Sequence, residues 1–259
     1  MKRRSIGIVG LTVGLIAALI GLAVVPASAS HSWGSYHWKQ PAAVVTLTYN
    51  SNLTTGDWQT LLPSVITDWD GGVPDRLAFI KGSNVQDPKK CKARSGTIEV
   101  CNASYGRNGW LGLAQIWTSG GHIVQAVTKV NDSYFSTATY NTPAWRRMVL
   151  CQEVGHDFGL THQDEDFTNP NLGTCMDYTS DPAVPVPNGN ERPNAHDYQQ
   201  LGCIYDGHDS GGTPSTGCSG PLSGTTTPNS TYVEELGNGR RVVTHVFWVD
   251  PRVAHGPPF

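Results

Sequence analysis

Gln152, Glu153, His156 and His162 lie within the stretch Gln152-Glu153-Val154-Gly155-His156-Asp157-Phe158-Gly159-Leu160-Thr161-His162, in a spacing that suits metal chemistry. On a helix Gln152 and His156 are four apart, so their side chains lie one above the other on one face. Glu153 sits one residue round, within reach of a group held by that pair. Gly159 can take the left-handed conformation that ends a helix, which lets the chain turn and bring His162 back toward His156. Two imidazoles, an amide and a carboxylate then converge. Imidazole and carbonyl-type oxygen are ligands for a zinc-type ion, and an adjacent carboxylate can take and return a proton.

The stretch resembles the extended motif H-E-x-x-H-x-x-G-x-x-H of the metzincin zinc endopeptidases at every fixed position except the first, where Gln152 replaces histidine. Downstream, Thr174-Cys175-Met176-Asp177-Tyr178 is similar to the Met-turn beneath the metal in that clan. The resemblance is specific from about residue 142 to 205, loose from 43 to 130, and absent from the tail. It implies a zinc ion held by Gln152, His156 and His162, with Glu153 as general base toward a water and Tyr178 as hydrogen-bond donor to the developing oxyanion. Met176 would be apolar packing under the ligands. An amide oxygen is a weaker zinc ligand than imidazole. Three alternatives therefore stay open: Gln152 ligates, Asp164, Asp166 or Tyr178 replaces it, or the site is empty. The corresponding functions are a secreted zinc endopeptidase and a non-catalytic secreted binding protein on a metzincin-like fold.

These residues need elements to position them. Thr142 can cap a helix and Pro143 suits its first position. Trp145, Met148 and Val149 then follow at helical spacing. Before that helix, residues 44–49 alternate as a strand. Trp58, Leu61, Leu62, Val65, Ile66 and Trp69 recur at helical intervals, with Pro63 expected to kink the helix or delay its start. Strands are expected at 77–80 and 97–100, and residues 111–117 and 123–130 flank Ser119-Gly120-Gly121 as a hairpin. The resemblance implies a sheet edge that pairs with bound peptide, and these hairpin strands are the candidates. After the site, 178–195 reads as a loop and 196–205 as a terminal helix started by Pro193-Asn194. Residues 209–230 are a Gly/Ser/Thr/Pro linker. The tail, 231–259, carries a hairpin around Gly237-Asn238-Gly239, expected to pack on the main domain. The fold class is thus α+β: a mixed twisted sheet with an active-site helix, and a small C-terminal subdomain with Met-turn and terminal helix, over residues 30–208.

Lys2, Arg3 and Arg4 precede an apolar run from Ile6 to Val25, and Ala27-Ser28-Ala29 has the form of a signal-peptidase site, so residues 1–29 read as a cleaved signal peptide. Its loss takes the net charge from −3 to −6 by removing those three basic side chains. A mildly acidic chain has no basic surface for nucleic acid or anionic lipid. The expected partner is a protein or peptide substrate, with no nucleic acid, no membrane after cleavage, and a monomeric state. Six cysteines in an exported chain read as three disulfides. Cys91 and Cys101 would staple a hairpin, Cys151 and Cys175 would tie the helix to the turn, and Cys203 and Cys218 remain. The acidic cluster Gln163-Asp164-Glu165-Asp166 has three functional readings: orienting a histidine, holding Ca2+, or supplying a substitute ligand. For Glu165 the expectation is a solvated loop residue.

Overall fold

The computed structural model describes residues 31–33, 36–39, 41–183, 189–206, 209 and 230–254. The expected signal peptide, nearly all of the linker and Cys218 lie outside them. One mixed sheet dominates, with strands β1 (His37–Trp38), β2 (Val45–Asn52), β3 (Leu77–Lys81), β4 (Thr97–Ala103), β5 (Trp110–Ser119), β6 (His122–Asn131), β7 (Thr231–Gly237) and β8 (Arg240–Trp248). Their spatial order is β3-β2-β4-β6-β5-β8-β7, with β1 paired to β6. The β3, β2, β4 and β6 pairings are parallel, and the β6, β5, β8 and β7 pairings antiparallel.

Helix α1 (Gly56–Asp70) buries Trp58, Leu62, Val65, Ile66 and Trp69 on one stripe. It does not break at Pro63. That residue lies on the solvent face, where the carbonyl left without its N–H partner can turn to water. Short α2 (Asp132–Phe135) precedes α3 (Pro143–His156), whose start is held by Thr142, its hydroxyl accepting from the Trp145 N–H at 3.2 Å. Helix α4 (Ala195–Ile204) begins in a capping box between Asn194 and Asp197. A last short helix, α5, spans Pro251–Ala254. Helix α3 packs on β5, β6 and β8, and α1 packs on α3 and β3. Trp58, Trp69, Met148, Phe158, Met176 and Phe247 share one buried cluster, so the helix carrying Gln152 to His156 runs through the core.

Two expectations change here. Cys91 and Cys101 are bridged, but they do not staple a hairpin. Cys91 sits in a turn at φ 41° and only Cys101 is in a strand, because the intervening residues form a loop hydrogen-bonded through Gln86. Nor is the β5–β6 hairpin a free sheet edge. β6 is interior, and the outer side of β5 is taken by β8 in register from Trp110↔Trp248 to Ser119↔Arg240. The tail hairpin thus belongs to the main sheet; its turn residues Gly237, Asn238 and Gly239 all have positive φ, the geometry that a two-strand turn of this kind needs. A second disulfide joins Cys151 to Cys175, and Cys203 is also disulfide-bonded. Among the described residues no helix is long and apolar enough to cross a membrane.

Candidate metal centre

Helix α3 ends at His156, and the turn over 157–159 closes with Gly159 at φ 97°. A side chain there would collide with the Tyr36 carbonyl, since a Cβ would stand 2.1 Å from its oxygen. Past this turn Leu160 bridges to Ser32, and the Thr161 N–H donates to the His31 carbonyl at 2.6 Å, which fixes the course of the chain into His162. The outcome is that His156 Nε2 and His162 Nε2 face each other at 3.0 Å, both rings buried.

Each ring has its other nitrogen committed. His156 Nδ1 lies 2.9 Å from the Leu160 carbonyl, and His162 Nδ1 lies 2.8 Å from Glu165 Oε1. Carbonyl and carboxylate oxygens accept, so both Nδ1 atoms carry the hydrogens and both Nε2 atoms present lone pairs. Two lone pairs at that distance repel unless a cation lies between or beside them. A proton is disfavoured in that role at His156, whose pKa burial holds well below the ordinary imidazole range, with the neighbouring His162 adding to the effect.

Glu165 is therefore not a solvated loop residue. It orients His162 and also accepts from Ser230 Oγ at 2.8 Å. Asp164 is half-buried, and one of its carboxylate oxygens accepts from the Asp166 N–H. Asp166 is exposed and caps Thr168.

Glu153 is fully buried and neither carboxylate oxygen has a hydrogen-bond partner. It lies against Gly112 of β5, where a Cβ would come within 2.6 Å of Glu153 Oε1. Burial pushes its carboxyl well above the usual range, and the nearby Asp157 charge pushes the same way. Gln152 is buried one turn before His156; its amide nitrogen donates to the carbonyls of Cys175, at 2.7 Å, and Asp177, at 3.5 Å, leaving Oε1 without a partner. Met176 is buried beneath the helix, its sulfur so close to Gly155 that a Cβ there would stand 2.7 Å away. Tyr178 packs its ring 4.6 Å from that of His162.

The residue that the sequence reading missed is His245 on β8. Its ring stacks on His156, with centroids 4.0 Å apart and planes 7° from parallel. A ligand-capable atom from each of His156, His162 and His245 lies within 4.8 Å of the other two. One signal was available: in the tail strand His245 alternates with Val243 and Phe247, a polar ring on an otherwise apolar face.

The residues present fit a divalent cation. His245, whose buried Nε2 has no hydrogen-bond partner, joins the facing imidazole pair. Gln152 and Glu153, on the same helix as His156, carry further buried oxygens without partners, a state that is rare unless something satisfies it. No protein-family profile matches the chain, and no curated protein does. Among solved structures, the chain is similar to that of myroilysin, with a TM-score of 0.37 and 12% identity over 64% of this chain and 95% of that one. At that distance the likeness carries no function across.

Proposed function

We propose that the protein is a secreted, metal-dependent endopeptidase with zinc as the ion. The facing Nε2 atoms of His156 and His162 carry this reading, and the buried, unpartnered carboxylate of Glu153 on the same helix end supports it. A zinc ion bound there would polarise a peptide carbonyl and acidify a water. Glu153 supplies the base: burial raises its proton affinity, which suits a group that must accept a proton and hand it on to a leaving amine. Glu165 and the Leu160 carbonyl hold the two imidazoles in the tautomer that offers Nε2. Tyr178 would serve a carbonyl oxygen gaining charge by giving up the hydrogen bond it now donates to the Val246 carbonyl. The Cys151–Cys175 bridge keeps the helix and the methionine turn in register.

The test is metal analysis of the purified chain together with digestion of a casein-type substrate. Stoichiometric zinc with hydrolysis that Glu153→Gln removes by at least about 100-fold, zinc being retained, supports the proposal. A second reading, a non-catalytic binding protein on the same fold, is favoured by one observation: β8 occupies the side of β5 with which an extended peptide would pair. Full zinc without hydrolysis decides for that reading.

A further inference from the structure

We propose, resting on the metal-dependent reading above, that His245 is the third imidazole of the centre, brought in by the C-terminal hairpin in place of the one that position 152 lacks. Its position is fixed by register: β8 runs antiparallel to β5 with Ala114 opposite His245. Strand alternation then puts Val243, His245 and Phe247 on one buried face. The ring meets Trp33 edge-on at 3.8 Å between centroids and stacks on His156. Its Nδ1 lies 3.4 Å from Thr231 Oγ1. Its Nε2 is buried and has no hydrogen-bond partner, a costly state for a nitrogen that could have been replaced by carbon.

Gln152 is a poorer candidate for that role. Its amide nitrogen is tied to the Cys175 and Asp177 carbonyls, which directs the side chain to the methionine turn, and an amide oxygen binds zinc less well than imidazole nitrogen. Three imidazoles are one of the donor sets that hold zinc in open sites. Parallel stacked rings do not aim their in-plane lone pairs at one point, so ligation turns His245 out of its stack on His156. An ion held by them would pin β8 to α3, so metal occupancy and seating of the hairpin on β5 become one linked equilibrium.

The experiment is zinc titration of the full chain in competition with a chromophoric chelator, for the wild type, His245→Phe and Gln152→Ala. Phenylalanine keeps an aromatic ring between Trp33 and His156 while removing the nitrogen. The expected result is affinity weakened by at least about 100-fold in His245→Phe and by less than about tenfold in Gln152→Ala. Wild-type affinity in His245→Phe overturns the inference and leaves the metal reading standing. No zinc binding by the wild type overturns both. Should His245→Phe fail to fold, amide exchange of the wild type decides: zinc should slow exchange across Arg240–Trp248, and equal exchange with and without zinc overturns the proposal.

Discussion

The phenol of Tyr178 donates to the backbone carbonyl of Val246 at 2.9 Å, beside the ring of His162. Val246 belongs to an extended strand lying antiparallel to β5, so the hydroxyl already meets a peptide carbonyl next to the imidazoles. Tyr178→Phe removes the donor and keeps the ring packing on His162 and Phe247. Leaving that buried carbonyl unpaired should cost about 1–3 kcal/mol in urea unfolding. If the same hydroxyl serves an oxyanion, turnover should fall by about 10²–10³-fold while zinc affinity stays within a few-fold.

Gly112 leaves the space that Glu153 fills. Gly112→Ala would drive a methyl into the carboxylate and into Val149, both within 3 Å of the added carbon. We expect destabilisation of about 1–3 kcal/mol by overpacking, and a larger fractional loss of hydrolysis than of zinc binding. Thermal unfolding, metal titration and a peptidase assay on one preparation separate these effects. Unchanged hydrolysis would show that Glu153 does not need its present position.

Replacing Cys151 and Cys175 together by alanine opens a loop of sequence separation 24 between α3 and the methionine turn. Chain-entropy arguments put the cost at about 3.5 kcal/mol, within the usual range of about 2–4 kcal/mol. Zinc affinity should fall as well, because Gln152 hydrogen-bonds the Cys175 carbonyl and Met176 supports the helix at Gly155. Denaturant titration and chelator competition check the two parts separately.

Asp177 gives a pH signature. Burial raises its carboxyl from 3.8 to about 6, against hydrogen bonds from the Leu172 N–H and Asn190 that pull the other way. The folded chain therefore holds this proton more tightly than the unfolded chain. Its contribution to stability is complete below about pH 4 and is lost as pH rises toward 6, with a slope of at most about 1.4 kcal/mol per pH unit. Asp177→Asn should flatten that slope in zinc-free urea titrations between pH 4 and 7. An unaltered slope would exclude Asp177 as its source.

Local chemistry made much of this molecule legible. The cap at Thr142, the stripe of Trp58 to Trp69, the alternation in β2 and the Asn194 cap each depend on neighbours in sequence, and each is found where the pattern puts it. The approach of His156 to His162 was legible for the same reason, since one helix end and one glycine produce it. What escaped depends on distant pairing. Nothing near residue 245 announces that its strand will zip to β5, and nothing in the acidic run tells Glu165 from its neighbours until His162 turns toward it. Pro63 escaped differently: a kink or a late start was expected, but the helix already begins at Gly56, and the stripe beneath Pro63 buries enough apolar surface to carry it through.

Two of the three clustered imidazoles sit six positions apart, and the third follows 83 residues after the second. Because β8 slots between β5 and β7, the trio comes together only in a polypeptide extended past residue 245 with its sheet zipped shut. A molecule cut before β8 would retain only the His156–His162 pair of this cluster. If all three imidazoles hold the ion as proposed, its binding would report that β8 has joined the sheet.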